Sequence, residues 1–325
     1  MARRSSLPSG LVTVGLLLLL LSVSVDAQLK DNFYAQSCPK GENIVDTIVK
    51  SRLKTDRTLA ASLLRLHFHD CFVIGCEASV LLDSTSSHIA EKDAPPNKNS
   101  LRGFDVIDEC KSAVEAACPG VVSCADILAL AARDAIATIG GPIWNVPTGR
   151  RDGSLSALAQ AVSDLPSFQS TFAELTQKFA AVGLNQKDVV VLSAAHTIGR
   201  ARCANINNPT LDKVYAQQLK KSCPPGSTNL VNMDPSMGGE TFDTNYYNNL
   251  FNNRGLFKSD QALLTDNTAR AYVQSEISSQ ATFFHDFAAS MEKMGRIGAL
   301  TLASPFKGEI RTNCHRVNPP KKSST

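Results

Sequence analysis

Nine cysteines constrain this chain most, because disulfide bonds between them would fix distant segments next to one another. They lie between Cys38 and Cys314, and none has the paired C-x-x-C spacing of a zinc site. Spacing alone suggests one local pair, Cys71 with Cys76. It does not choose among the many other pairings of eight cysteines, and one of the nine would stay unpaired.

The first 27 residues predict a secretory signal peptide. Arg3 and Arg4 precede an uncharged apolar stretch, Leu11 to Leu21, and the small residues Val25 and Ala27 precede the cleavage site. The stretch is shorter than the ~20 residues of a bilayer-spanning helix, and no later segment approaches that length. Export would bring the cysteines into an oxidising compartment, where disulfides persist.

Composition places the chain among globular proteins. Its 325 residues are 43% hydrophobic and 19% charged, which excludes a disordered segment, a collagen-like repeat and a small disulfide-only scaffold. At ~150 residues per domain, the length allows about two domains or one large domain of two lobes. The net charge of +3 is too small and too dispersed for a nucleic-acid surface, so we expect neither nucleic acid nor a membrane as partner.

Hydrophobic periodicity predicts a mostly α fold. Apolar residues recur with helical spacing in residues 43–54, 59–66, 104–117, 121–137, 172–182, 189–195 and 273–294. Gly183 and Gly199 predict the ends of two of these segments. We expect short extended segments around Trp144 to Pro147.

The strongest local signal is the sequence from Arg65 to Cys71, at the end of a predicted helix. Arg65 and His69 are four residues apart and share a helix face, whereas His67 projects elsewhere. The guanidinium should lower the pKa of His69 and keep it a neutral proton acceptor, while Arg65 stabilises negative charge. The alternatives are a helix end with favourable basic residues and a metal-binding pair of His67 and His69, which the helical pattern disfavours.

A second signal is His196, which follows Ala194 and Ala195 at another predicted helix end. The two alanines leave room for a flat, bulky group against the ring. A lone histidine is more often a core or capping residue. The presence of Arg65 and His69 as a second candidate group elsewhere in the chain favours a functional role for His196.

Several motifs in a fixed order resemble those of the plant secretory (class III) haem peroxidases, from about residue 28 to residue 318. The motifs are LRLHFHDCF at 64–72, GCEAS at 75–79, RGF at 102–104, VSCAD at 122–126, GRRD at 149–152, LSAAHTIG at 192–199 and SDQ at 259–261. Their number and order exclude coincidence.

The resemblance implies one haem-peroxidase domain over residues 28–325, in which two helical halves enclose haem b. The distal half would span about residues 28–165 and the proximal half about 166–318, followed by a short tail. Four disulfides would connect them: Cys38 with Cys118, Cys71 with Cys76, Cys124 with Cys314, and Cys203 with Cys223. Cys110 would be an inert core thiol.

The resemblance also implies how the two signals cooperate. His196 would be the axial ligand of the haem iron, and Asp260 would accept its other ring N–H. His69 would take a proton from iron-bound hydrogen peroxide and return it to the departing oxygen, while Arg65 stabilises the separating charge. Asn97 would orient His69.

Small phenolic donors would be oxidised by successive one-electron steps at the haem edge. The Pro166 carbonyl would border the donor site, and Phe68 would wall the distal pocket. The implied activity serves hydrogen peroxide removal, the response to oxidative stress and cell-wall phenolic chemistry. We expect a secreted monomer, and the short tail after Cys314 favours the cell wall over a vacuole.

Two Ca²⁺ sites are implied as well. The distal ligands would be Asp70, the carbonyls of Val73 and Gly75, Glu77 and Ser79, with Glu91 in support. The family normally has Asp where Glu77 stands, so we expect the loop to shift around the extra methylene. The proximal ligands would be Thr197, Asp234 and Asp243, supported by Ser236 and Thr241.

Two other functions remain compatible with the residues. One is a secreted metallo-hydrolase that uses His67 and His69, and the other is a non-catalytic wall-binding protein on a peroxidase scaffold. A haem Soret band would exclude the hydrolase, and peroxide-dependent turnover would exclude the binding protein.

Overall fold

The computed structural model describes residues 29–236 and 238–320. The predicted signal peptide lies outside these residues. Within them the chain is mostly α, as predicted. The helices are α1 Gly41–Thr55, α2 Leu59–Cys71, α3 Phe104–Ala117, α4 Cys124–Thr138, α5 Leu158–Asp164, α6 Phe172–Ala181, α7 Gln186–Ser193, α8 Lys213–Ser222, α9 Asn245–Phe251, α10 Lys258–Ala262, α11 Asn267–Ser278 and α12 Gln280–Met294.

Shorter elements connect these helices. Single 3₁₀ turns are found at Ser79–Leu81, Glu91–Asp93, Ala194–Thr197 and Cys203–Asn205. The strands β1 Arg200–Arg202 and β2 Leu230–Asn232 pair in antiparallel fashion, with Ala201 opposite Val231. The expected extended segment at residues 144–147 forms no strand, and only the adjacent Thr148 pairs with Lys30.

The prediction of one helix over residues 273–294 is wrong, because that segment belongs to two helices, α11 and α12. Ser279 separates them with an extended backbone, φ −155° and ψ 112°. Its hydroxyl accepts a hydrogen bond from the Thr282 N–H and caps α12. Apolar periodicity continues across the break because both helices pack against α7.

Two groups of helices carry the residues of interest. In one, α2 packs along α4, while α1 and α3 pack beside α4. In the other, α7 lies against α6, α11 and α12. One hydrophobic core runs through both groups. Among the described residues, no helix has the length and apolar character needed to cross a bilayer.

Four disulfides connect the chain, with the pairing that the resemblance implies. They are Cys38–Cys118, Cys71–Cys76, Cys124–Cys314 and Cys203–Cys223. The bond from Cys124, at the start of α4, closes a loop of 190 residues and restricts the unfolded chain most in the loop-entropy description. Cys110 is free and buried, and burial raises its pKa to about 12, so its thiol is unreactive.

A fully buried ion pair joins Asp126 of α4 to Arg150, which also binds the residue after α12. Asp126 accepts from Arg150 Nη1 over 2.7 Å and from the Tyr34 hydroxyl over 2.6 Å. Arg150 Nε also donates to the Gly295 carbonyl over 3.0 Å. Neither charged side chain is more than 1% exposed, so each depends on the other for its charge.

We expect Asp126→Asn to lower the free energy of unfolding by roughly 3 to 5 kcal/mol, because Arg150 is left buried without a charged partner. Urea unfolding measures the loss. Asp46→Asn is the matched control, because Asp46 pairs with the exposed Lys50 on one face of α1 and should lose only about 0.5 kcal/mol. Equal losses in the two variants would contradict the structural role of the buried pair.

Candidate functional site

Helix α2 holds His69 with its ring in one defined state. His69 is 6% exposed, and its Nδ1 lies 2.6 Å from Oδ1 of Asn97. An amide oxygen only accepts, so the ring proton lies on Nδ1 and Nε2 is free to take another. The Asn97 amide is itself fixed, since its Nδ2 donates to the Glu91 backbone carbonyl over 2.8 Å. Glu91 therefore supports Asn97 through its main chain and not through its carboxylate.

The His69 ring stays neutral mainly because it is buried. Burial lowers the pKa of His69 well below its ordinary value, and the charge of Arg65 lowers it further. Arg65 is therefore not the main cause, contrary to the expectation from the sequence. Desolvation is the larger cause, because the charged ring would lose its hydration inside the protein.

Arg65 lies close to a second cation. Its Nη1 and Nη2 each donate over 3.0 Å, to the carbonyls of Ser100 and Pro96. Burial and the nearby charge of Arg202 lower the pKa of Arg65 to about 10. Neither guanidinium forms a salt bridge with any carboxylate in the described part of the chain. The pair is therefore able to receive negative charge from a ligand.

His67 lies in different surroundings from His69. Its Nδ1 is 3.6 Å from Sγ of Cys71, and burial, with the charge of Arg150, lowers the pKa of His67 to about 3. Within residues 29–236 and 238–320, no three His, Cys, Asp or Glu side chains form a metal-binding group. The arrangement gives no support to a paired-histidine metal site. Phe68 is half-buried, its ring centroid 4.2 Å from that of Phe72 and 5.8 Å from that of His69.

His196 lies in the 3₁₀ turn that follows α7. Its Nδ1 is 2.7 Å from Oδ1 of Asp260, which is 2% exposed. The carboxylate accepts the Nδ1 proton and leaves Nε2 free. The His196 side chain is 41% exposed although the rings of Tyr246 and Phe257 lie edge-on to it, at 6.1 and 5.6 Å between centroids. An imidazole so fixed and so open is suited to bind a ligand through Nε2.

Tyr246 is a further residue of this site, and no sequence motif indicated it. Its hydroxyl donates to Oδ1 of Asp260 over 3.2 Å. The other oxygen of Asp260 accepts the Phe257 N–H over 2.8 Å. Burial and the neighbouring carboxylate raise the pKa of Tyr246 well above its ordinary value, so the hydroxyl keeps its proton.

The segments that carry the two histidines touch each other. Gly199, three residues after His196, has φ +90°, and a Cβ added there would lie 2.9 Å from the Cβ of Ala61 on α2. A glycine is required on both counts. Arg202 donates to the carbonyl of Asn99, two residues after Asn97. The fold therefore brings the turn of His196 against the helix of His69.

Pro166 is half-buried in the loop that follows α5. The Phe168 carbonyl of this loop accepts the Ser259 N–H over 3.1 Å. The Phe168 ring lies 5.7 Å from Phe257, which in turn packs against His196. A row of aromatic rings therefore connects the Pro166 loop to the imidazole.

An acidic cluster, formed by Asp70, Glu77, Ser79 and Glu91, is buried at the end of α2. Asp70 accepts from the backbone N–H groups of Ala78 and Val80, and the loop in between closes with the Glu77 N–H bound to the Gly75 carbonyl and the Val73 N–H bound to the Asp70 carbonyl. Within the described residues, three of the cluster's buried oxygens have no hydrogen-bond partner. They are Glu77 Oε1, Ser79 Oγ and Glu91 Oε2.

The cluster carries more negative charge than its surroundings compensate. Burial raises the pKa of Asp70 to about 7 and those of Glu77 and Glu91 to about 8, and the Asp70 charge contributes to both increases. The buried Arg311 opposes the effect at Asp70 and Glu77. Unpartnered oxygens with excess negative charge are the donor set that a hard divalent cation binds. The cluster therefore suits Ca²⁺ by the chemistry of its oxygens, although its three carboxylates do not already converge as one metal-binding group.

Gly153 makes room for the longer side chain of Glu77. A Cβ added at Gly153 would lie 1.6 Å from Oε2 of Glu77, an impossible contact. The Gly153 N–H also donates to the Glu77 carbonyl over 2.8 Å. The Glu77 carboxylate therefore occupies space that only a glycine at residue 153 leaves free.

The structure also brings together four of the five residues expected at the proximal cation site. Thr197 donates to Oδ1 of Asp243 over 2.9 Å, and Ser236 donates to Oδ1 of Asp234 over 2.5 Å. Thr241 forms no side-chain hydrogen bond with them among the described residues. Asn245 and Asn249, which no sequence motif indicated, both donate to Asp234 through their amides. Carboxylates, hydroxyls and amides suit Ca²⁺ in kind, although here they mostly bind one another.

The chain is similar in sequence to known proteins over most of its length. The family described as Peroxidase matches residues 45–279. Peroxidase 5 of Vitis vinifera is 47% identical over 318 residues, which cover 93% of this chain and 95% of the relative. Peroxidase 15 of Ipomoea batatas is 46% identical, covering 95% and 99%. Peroxidase P7 of Brassica rapa subsp. rapa is 46% identical, covering 90% and 100%.

We expect Gly153→Ala to displace the Glu77 carboxylate, because the new Cβ occupies its position. The variant should lose bound calcium, measured by atomic emission, and should melt at a lower temperature. The matched control is Gly153→Ala combined with Glu77→Asp, whose shorter side chain should restore most of the calcium and of the melting temperature. A double variant no better than the single one would contradict the pairing of the two residues.

Proposed function

We propose that this chain, which belongs to the peroxidase family, is a secreted haem peroxidase that uses hydrogen peroxide to oxidise small phenolic donors by successive one-electron steps. The observation that carries the proposal is the state of His69. Its ring is buried and neutral, with Nδ1 held by Asn97 and Nε2 free beside Arg65. A proton acceptor next to an unpaired cation is what peroxide cleavage requires.

His196 and Asp260 support the binding of haem b. Nε2 of His196 would ligate the iron, while Asp260 keeps the proton on Nδ1. Arg202, which lies close to Arg65 and forms no salt bridge within the described residues, suits a carboxylate of the cofactor. Bound haem supplies the iron at which peroxide is cleaved and through which donors are oxidised.

On the distal side, His69 would move one proton. Its Nε2 would accept a proton from one oxygen of hydrogen peroxide and deliver it to the other, which leaves as water when the O–O bond breaks. Arg65 would stabilise negative charge on the departing oxygen. Asn97 holds the other ring proton in place, so the transfer uses Nε2 only.

On the proximal side, Asp260 would give His196 partial imidazolate character. The 2.7 Å hydrogen bond draws the Nδ1 proton toward the carboxylate and makes Nε2 a stronger electron donor. Such a ligand would make the bound haem more effective in cleaving the O–O bond of peroxide.

Donors would approach along the Pro166 loop, whose Phe168 packs near Phe257. Flat aromatic donors suit this row of rings. Phe68, half-buried beside His69, would exclude bulky ligands from the distal side.

The acidic cluster and the cluster around Asp234 would each hold one Ca²⁺. The distal ion would compensate the buried carboxylates at the end of α2 and fix the helix that carries His69. The proximal ion would fix Thr197, next to His196. The distal half, residues 28–165, and the proximal half, 166–318, would thus each carry one ion.

We assign the chain to the cell wall as a monomer.

We expect His69→Ala to slow the reaction with peroxide by about 10³-fold or more, because it removes both the proton acceptor and the proton donor. Stopped-flow measurement of the Soret change after peroxide addition gives the rate. His67→Gln is the control, since His67 contacts the Cys71–Cys76 disulfide, and it should react at nearly the wild-type rate. Wild-type protein without a Soret band, or undiminished turnover in His69→Ala, would overturn the proposal.

A charge at residue 97 should change the pH dependence of the same step. In the wild type, burial and Arg65 lower the pKa of His69 well below its ordinary value, so the neutral ring persists into acid and the rate falls only there. Asn97→Asp places a carboxylate on Nδ1, which stabilises the charged ring and raises the pKa of His69. The acid limb of the rate profile should move to higher pH by one unit or more, about 1.4 kcal/mol. An unmoved limb would contradict the role of His69 as the proton acceptor.

A further inference from the structure

Tyr246 is a buried side chain that the proposed mechanism does not use. Its hydroxyl donates over 3.2 Å to Oδ1 of Asp260, and the same oxygen accepts the Nδ1–H of His196 over 2.7 Å. Tyr246 is 3% exposed and Asp260 is 2% exposed, so bulk water does not compete for this oxygen. Two donors therefore share one buried carboxylate oxygen.

We propose that Tyr246 is a positioning residue that limits how strongly Asp260 polarises His196, and thereby sets the reduction potential of the haem iron. The inference rests on the proposed haem site. Asp260 already binds the Phe257 N–H through Oδ2 over 2.8 Å. Its single negative charge is therefore divided among three donors, and each added donor weakens the hold on the others.

The sign of the effect follows from this sharing. A carboxylate that also accepts from Tyr246 draws the Nδ1 proton of His196 less strongly, so the imidazole carries less negative charge. A less electron-rich imidazole stabilises ferric iron less. The Tyr246 hydroxyl therefore raises the potential, and its removal lowers it.

Tyr246 has a second contact with His196 that must be separated from the first. The two rings lie edge-on, 6.1 Å apart at an angle of 80°. Tyr246→Phe keeps the ring and removes only the hydroxyl. A change in potential in this variant therefore reports the hydrogen bond to Asp260 and not the packing of the ring.

The neighbouring Tyr247 provides a matched control. It also lies in α9 and is fully buried. Its hydroxyl donates over 3.3 Å to the backbone carbonyl of Val190, in α7, and not to Asp260. Tyr247→Phe therefore removes a buried tyrosine hydroxyl one residue away without changing the number of donors on the carboxylate.

The experiment compares the haem-loaded wild type with Tyr246→Phe and Tyr247→Phe. Spectroelectrochemistry gives the ferric/ferrous potential, and resonance Raman spectroscopy of the ferrous state gives the iron–histidine stretch. We expect Tyr246→Phe to shift the reduction equilibrium about tenfold toward ferric iron, about 59 mV for a one-electron couple, and to raise the stretching frequency. Tyr247→Phe should change neither. An unmoved potential in Tyr246→Phe, or equal shifts in both variants, would overturn the inference.

A second measurement leaves the fold of the wild type intact. Replacing all tyrosines by 3-fluorotyrosine makes each hydroxyl more acidic and a stronger donor. The potential should then rise in the wild-type chain and should not change in Tyr246→Phe; no rise in the labelled wild-type chain would overturn the inference even if Tyr246→Phe does not fold. Wild-type protein that takes up no haem would overturn the proposed function and this inference together, whereas loaded protein with an unmoved potential overturns the inference alone.

Discussion

The chemistry of this site depends on two hydrogen bonds of the same kind. In both His69 and His196, an oxygen holds the Nδ1 proton, and Nε2 is left free. The acceptor is a neutral amide at His69 and a carboxylate at His196. That difference in charge separates their roles, because an amide leaves the ring a proton acceptor while a carboxylate makes the ring an electron donor. In the proposed function, one type of side chain would thus serve in two different roles.

The fold maintains these bonds by burying what surrounds them. Helix α2 lies along α4 in the core, and the turn of His196 packs on α2 where Gly199 meets Ala61. The Asn97 amide is fixed by a backbone carbonyl, and Asp260 is held by three donors. Every acceptor that defines a histidine is therefore itself positioned, so neither ring can exchange its tautomer without breaking a further bond.

Those parts of the site that depend on helical periodicity and on the order of motifs could be predicted from the sequence. The spacing of Arg65 and His69 on one helix face was visible, as was the mostly helical fold. The depth to which His69 is buried could not be predicted from the sequence. Burial is the main cause of its lowered pKa, so that cause was not predicted either. Tyr246 was missed because contact with Asp260, 14 residues away, follows no helical or strand spacing. The break at Ser279 was missed because apolar periodicity continues through it.

Glu77 and Gly153 depend on each other sterically although they are 76 positions apart in the sequence. The space that the Glu77 side chain occupies is provided by Gly153, in a different segment of the chain. The sequence of residues 70–79 alone therefore does not predict it. If this loop were grafted onto a scaffold with any side chain at the position of Gly153, the Glu77 carboxylate would therefore have no space in its present position. Natural exchange between aspartate and glutamate at residue 77 should accordingly be coupled to the size of residue 153.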